Sequence, residues 1–135
     1  MALQLSVAVR NAMLDAIETA IGTNAVLKIR TGAPPASVAT ADSGTVLATL
    51  TLPSDWMAAA SAGSKAKNGT WEDASADAAG TAAHYRIYAS DGTTAHLQGT
   101  VTATGGGGDL TVDNTVFAAG QSFSITSFSL SAANS

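Results

Sequence analysis

The rhythm of apolar and polar residues changes once along this chain, and the change separates a helix from everything after it. Through residues 3–21 the polar positions Gln4, Asn11, Asp15, Glu18 and Gly22 recur at spacings of seven, four, three and four. That is the recurrence of one face of a helix of 3.6 residues per turn. Leu5, Val9, Ala12, Met13, Ala16, Ile17, Ala20 and Ile21 occupy the other side. The pattern predicts one amphipathic helix over 3–21, ended by Gly22 in the left-handed conformation. Its apolar side exceeds half the circumference, so the helix is expected to be covered on more than one side. Packing on the chain's own sheet accounts for most of that cover. Docking of part of the helix on another subunit is the sharper expectation, with Leu5, Val9, Met13, Ile17 and Ile21 as the interface candidates.

Beyond Gly22 the period drops to 2, the signature of strands. "NAVLKIR" (24–30) and "TVLATLTL" (45–52) alternate, and the stretch between them, with Pro34, Pro35 and Asp42-Ser43-Gly44, reads as a loop. Residues 53–69 carry no clear period and are expected to hold one helical turn and a soft loop, with a short strand over 70–75. "AAHYRIYASDGTTAHLQGTVTA" (82–103) reads as two strands around Asp91-Gly92. A two-residue turn there would set the two apolar rows on opposite faces, because a slip of one residue inverts a strand. A loop of odd length, 91–93 or 90–94, instead opposes Ile87 to Leu97, Tyr85 to Gly99 and Tyr88 to His96, with Gly92 left-handed. "DLTVDNTVF" (109–117) alternates throughout. "QSFSITSFSLS" (121–131) loses phase at Thr126-Ser127, which predicts a bulge or a strand that leaves one sheet for another. The expectation is one domain over residues 1–135: an N-terminal amphipathic α-helix in 1–22, then a mainly β antiparallel sandwich of about seven strands in 23–135.

Composition sharpens this picture. More than half of the 135 residues are Ala, Thr, Ser or Gly, while 12% are charged and 5% aromatic. Small side chains bury little area each, so stability is expected to lean on partners. The net charge of −4 and the scattering of Lys28, Arg30, Arg86, Lys65 and Lys67 argue against nucleic acid as a partner. There is no cysteine, hence no disulfide and no thiolate metal site. No apolar run approaches the roughly 18–20 residues that span a bilayer, so no membrane partner is expected. Arg10, Asp15 and Glu18 interrupt the N-terminal segment, which does not read as a signal peptide.

The chemistry tests come out negative. Gly105–Gly108 lacks the Gly-Lys-Ser/Thr ending of a phosphate loop, and the third glycine of a dinucleotide fingerprint falls on Leu110 or Thr111. The four glycines read as a corner between strands. His84 and His96 lie too far apart on the hairpin to share a metal and are expected at the surface or an interface. Asp73 with Asp77, and Asp109 with Asp113, miss the calcium-loop pattern. Glu72 and Asp73, adjacent on a strand, point to opposite faces and cannot flank a sugar. Trp56 and Trp71 are expected in the core. No nucleophile elbow is present. No catalytic residue, metal or cofactor is therefore expected.

The segments "MALQLSVAVRNAMLDAIETAIGTNAVLKIRTGAPP", "LPSDWMAAASAGSKAKNGTW", "HYRIYASDGTTAHLQGTV" and "GGGGDLTVDNTVFAAGQSFSITSFSL" together resemble small tailed-bacteriophage and prophage virion structural proteins, over essentially the full length. The resemblance implies a place in the virion, assembled in the host bacterial cytoplasm, on the head, at the connector or along the tail. The expected role is non-enzymatic: a capsid decoration, minor capsid or vertex protein acting as a homo-oligomer against other phage structural proteins. These would be the major capsid protein or tail and connector proteins. The alternative is a tail- or fibre-associated receptor- or carbohydrate-binding module, with Trp56, Tyr85 or Tyr88 exposed on a concave face.

Overall fold

A computed structural model describes residues 3–132. The fold is mainly β with one N-terminal helix. The helix, α1 (Val7–Ile21), starts four residues later than its periodicity predicts. Ser6 is the reason. Its backbone is extended, at φ −65° and ψ 159°, and its hydroxyl accepts from the Val9 N–H at 3.2 Å, filling one of the orphan donors of the first turn. At the far end Gly22, at φ +93°, donates its N–H to Glu18 O.

Eleven short strands follow among the described residues: β1 (Val26–Arg30), β2 (Val46–Thr51), β3 (Ser64–Ala66), β4 (Trp71–Asp73), β5 (Gly80–Thr81), β6 (His84–Tyr88), β7 (Ala95–Ala103), β8 (Leu110–Val112), β9 (Val116–Phe117), β10 (Phe123–Ile125) and β11 (Ser129–Ser131). One five-stranded sheet runs in the order β2-β1-β6-β7-β8, and three two-stranded ribbons pair β10 with β4, β11 with β3, and β5 with β9. Leu27, Ile29, Leu50, Tyr85 and Ile87 of the sheet share one core with Trp71 and Ile125 of the ribbons and with Phe128, just ahead of β11. With so few large residues, the aromatics form a chain through that core. Trp56 lies 6.0 Å from Trp71, Trp71 lies 5.4 Å from Phe128, and Tyr85 meets Phe128 edge-on at 5.8 Å between ring centres.

The phase break at Thr126-Ser127 separates β10, which pairs with β4, from β11, which pairs with β3, so the chain does change sheets there. The hairpin register also holds in its central pairs: Ile87 faces Leu97, Tyr85 faces Gly99, and Gly92 is left-handed at φ +70°. The odd residue is supplied differently from expectation. The loop closes on Ala89 N–H to Thr94 O at 2.9 Å, and an irregularity beyond Ile87 puts Ala95, not His96, opposite Tyr88. Two assignments need correction. Residues 109–117 break into β8 and β9. The stretch expected to hold a helical turn contains instead a tight hairpin, in which Ser61 and Ser64 exchange both backbone hydrogen bonds around left-handed Ala62 and Gly63, at φ +54° and +76°. That is the mirror-image turn that matches the twist of paired strands.

The pairing of β7 with β8 is parallel, in a sheet otherwise antiparallel. Parallel neighbours ordinarily need a crossover of about a dozen residues or more. Residues 104–109 manage the return because of the four glycines. Gly105 and Gly107 take φ of +88° and +81°. A Cβ on Gly106 would meet Thr102 Cβ at 2.7 Å, and one on Gly108 would meet Thr102 Cγ2 at 2.9 Å. The loop thus folds flat against the strand it leaves. Gly106→Ala is expected to destabilise the fold by about 1–3 kcal/mol, the usual cost of an overpacked site. A lowered urea midpoint checks this; an unchanged midpoint would show that the loop has room to spare.

Candidate functional site

The helix docks on the hairpin through its polar side, the reverse of what its periodicity suggests. Lys65 of β3 is buried, with 2% of its side chain exposed. Its ammonium reaches Asp15 Oδ1 at 2.7 Å, Glu18 Oε1 at 3.0 Å and Ala58 O at 2.9 Å. The same helix face also satisfies the hairpin backbone. Glu18 Oε2 accepts from Met57 N–H, Asp15 Oδ1 from Ala60 N–H and Asn11 Oδ1 from Gly63 N–H, at 3.1, 3.0 and 2.9 Å. Trp56 Nε1 donates to Gly22 O at 2.9 Å, locking the helix end to the core. Hydrogen bonding by the Lys65 ammonium and the Ala60 amide holds the Asp15 carboxyl below its ordinary value. Burial alone would lower Lys65, but the two carboxylates outweigh it and raise the ammonium.

Rotation of the polar side inward splits the five interface candidates. Ile21 is buried and Ile17 packs against the core, so both belong to the chain's own interior. Val9 and Met13 lie outward, 46% and 50% exposed, and Leu5 is half-buried. Ala12, Ala16 and Ala20 are exposed beside them. Since Arg10, Asp15 and Glu18 are turned to the body of the molecule, this outward face carries no charge.

A second polar cluster closes the opposite side of the sheet. Arg30, Arg86 and Tyr88 share the sheet face away from the aromatic core, and loop 31–44 lies over them. Asp42 from that loop binds Arg30 Nη2 at 2.9 Å, Arg86 Nη1 at 2.8 Å and the Tyr88 hydroxyl at 2.8 Å. Arg86 also donates to Ser37 O, Thr40 O and Gln98 Oε1. Burial opposes the ionised Asp42, yet the Tyr88 hydroxyl and the two guanidiniums hold its carboxyl below the usual range. Every donor of this cluster with an observed contact is spent within the chain, so the arrangement is a clamp for the loop.

The remaining candidates resolve into structural duties. His84 is not at the surface. It is fully buried, its Nδ1 is 2.7 Å from Gly32 O, and its Nε2 has no partner; His96 is exposed. Trp56, Trp71, Tyr85 and Tyr88 are all buried, which removes the exposed aromatic platform that a sugar-binding face would use. Burial, with the Asp109 carboxylate nearby, pushes the Tyr85 phenol upward. Asp73 accepts from Thr49 N–H and Asp77 from the Thr49 hydroxyl, capping the outer edge of β2. Asp109 does the same for Thr100 on β7. Among the described residues no group of three or more His, Asp or Glu is placed to hold a metal ion. No described helix is long and apolar enough to cross a membrane. The sequence reading missed the Lys65 dock. Its only signal was that Asp15 and Glu18, rare charges in this chain, lie one helical turn apart.

Two predictions follow from these clusters. Replacing Asp15 and Glu18 together by Ala leaves the buried ammonium without a counter-charge, held by Ala58 O alone, and is expected to destabilise the fold more than Lys65→Met, which removes the buried charge itself. The pH sign is set by the shifts. Asp15, being lowered, stabilises above the ordinary carboxylate value of 3.8 and loses that contribution as pH falls through its depressed value. Lys65, being raised, stabilises below 10.5 and loses its contribution only as pH rises through its elevated value. Trp56 fluorescence against pH should therefore report a flat docked region between those limits and release below the lower one. Separately, Asp42→Asn is expected to free loop 31–44 for proteolytic cleavage at neutral pH, while the unsubstituted chain resists.

No protein-family model matches the sequence, and neither curated proteins nor solved structures give a match to it.

Proposed function

We propose that this chain is a non-enzymatic structural component of a tailed-phage virion, working by the packing of its copies on one another and on the particle. Capsid decoration, or a minor capsid or vertex position, is the favoured place. The sequence resemblance supplies the phage setting. The observation that carries the reading is the outward face of α1: Val9 and Met13 are about half exposed on a helix whose charged residues all turn inward. Exposed contiguous apolar surface marks sites of association. A neutral helix face can also meet its own copy across a two-fold axis without juxtaposing like charges. Among the described residues, the Lys65 and Asp42 clusters hold the chain's own hairpin and loop, and Asp73, Asp77 and Asp109 cap strand edges. None of them presents converging groups to a substrate.

The test uses the helix start. Ser6-Val7-Ala8-Val9 has the spacing of a capping box with Val9 at its fourth place. Val9→Glu is therefore expected to leave the folded monomer unchanged within about 0.5 kcal/mol, while adding a charge to the outward face. Paired with Met13→Glu, it should abolish concentration-dependent sedimentation of the purified protein and its incorporation into particles. A wild-type chain that stays monomeric at all concentrations and ignores particles assembled without it would overturn the reading.

A further inference from the structure

Tyr85 carries a polar group that the rest of the chain does not use. The residue is 2% exposed, yet among the described residues its hydroxyl has no hydrogen-bond partner. Nor is that hydroxyl sealed in: the enclosed side-chain polar atoms without a partner are Arg10 Nε and His84 Nε2. The opening comes from the residue across the ladder. Gly99 faces Tyr85, and a Cβ there would stand 2.8 Å from the phenol oxygen and 2.9 Å from Asp109 Cβ. With no Cβ in the way, the ring lies over the strand and its hydroxyl comes out beside Asp109. Both residues line a hollow of about 370 Å³, together with Leu97, Leu130 and Ser131. A second hollow of about 370 Å³ shares Asp109, Phe128 and Ser129 with the first, so the two form one trench.

Asp109 caps the strand edge with one oxygen only. Its Oδ2 accepts from the Thr100 N–H and hydroxyl at 3.0 and 3.1 Å. Its Oδ1 has no partner among the described residues. Burial, with this carboxylate nearby, pushes the Tyr85 phenol up, so it keeps its proton and donates. A donor and an acceptor thus stand together over an aliphatic floor of Leu97 and Leu130. The hydroxyls of Thr111, Thr126, Ser127, Ser129 and Ser131 line the rest, and none forms a hydrogen bond among the described residues. Lys67, at one end, already donates to Gly69 O at 2.6 Å.

This lining selects against most ligands. An anion meets the Asp109 charge. An apolar guest would shut out water and leave the phenol and the carboxylate oxygen unpaired. An ammonium would find one carboxylate already shared with two donors, and the Lys67 ammonium on the same wall. A neutral polyhydroxyl compound suits every group. Its hydroxyls donate to Asp109 Oδ1 and accept from Tyr85, and its C–H face rests on the two leucines.

We propose that the trench binds a neutral saccharide, two rings long, through Asp109 Oδ1 and the Tyr85 hydroxyl. The two adjoining hollows set its length, and each falls within the roughly 300–1,000 Å³ of small-molecule clefts. With no aromatic platform exposed, affinity rests on hydrogen bonds and lies in the millimolar range. The ligand is held and not turned over. The trench and the outward helix face use different residues, so either reading can fail without the other.

The probes are maltose, cellobiose and chitobiose, each titrated at millimolar concentration, with sorbitol as an acyclic polyol and amide chemical shifts read by NMR. The expected result is saturable movement of the Ser129, Ser131 and Thr111 amides with at least one disaccharide and none with sorbitol. Tyr85→Phe removes a hydroxyl that bonds nothing within the chain. Its urea midpoint should therefore not fall, while its dissociation constant should rise by roughly threefold to tenfold, the share of one neutral hydrogen bond. Asp109→Asn keeps an oxygen for Thr100 and puts an amide in place of the free one. It should weaken binding by roughly tenfold or more, the share of a hydrogen bond to a charge. Amides that no disaccharide moves would overturn the proposal and leave the phenol to solvent. The same dissociation constant in both variants would put the saccharide elsewhere and overturn the trench. Equal binding of sorbitol would overturn the ligand class. A lowered midpoint in Tyr85→Phe would show the hydroxyl to be engaged within the chain and would remove the site.

Discussion

The interaction on which the rest of the architecture depends is the burial of one ammonium, Lys65, beneath α1. A lysine in the interior is tolerated only when paired and hydrogen-bonded. Here the helix itself brings both carboxylates, Asp15 and Glu18, and the same two carboxylates accept from amides of the hairpin below. The arrangement fixes the rotation of the helix about its own axis. Once Asp15 and Glu18 face inward, Val9 and Met13 must face outward. The outward apolar face is thus a consequence of how the helix is held, and the functional reading follows from it.

The same economy appears on the far side of the sheet. A chain rich in Ala, Ser, Thr and Gly has few side chains large enough to cover both faces of a sheet. One face is covered by the aromatic chain from Trp56 to Tyr85. The other is covered by long cationic side chains, Arg30 and Arg86, whose stems fill space and whose heads are fixed by Asp42 and loop carbonyls. Central strand β6 is buried along its whole length as a result, although three of its five residues are His84, Arg86 and Tyr88. Aspartates then cap strand edges at Thr49 of β2 and Thr100 of β7, whose outward amides would otherwise be exposed.

Local periodicity by itself determined the single helix, the mainly β character, the hairpin register through Ile87 and Leu97, and the sheet change at Thr126-Ser127. Each rests on neighbours in sequence, where side-chain alternation and turn chemistry act directly. The run of four glycines likewise marked the corner between strands. Only the tertiary structure decided which way the helix faces, because a polar stripe is an outward face when it meets water and an inward face when a buried cation waits for it. Only the tertiary structure placed Arg30, Arg86 and His84 in the interior, since their partners, Asp42, Ser37 and Gly32, come from a loop whose path back over the sheet no local pattern sets. The parallel return through Gly105–Gly108 was likewise settled by packing: glycine permits the angles, but contact with Thr102 selects the path.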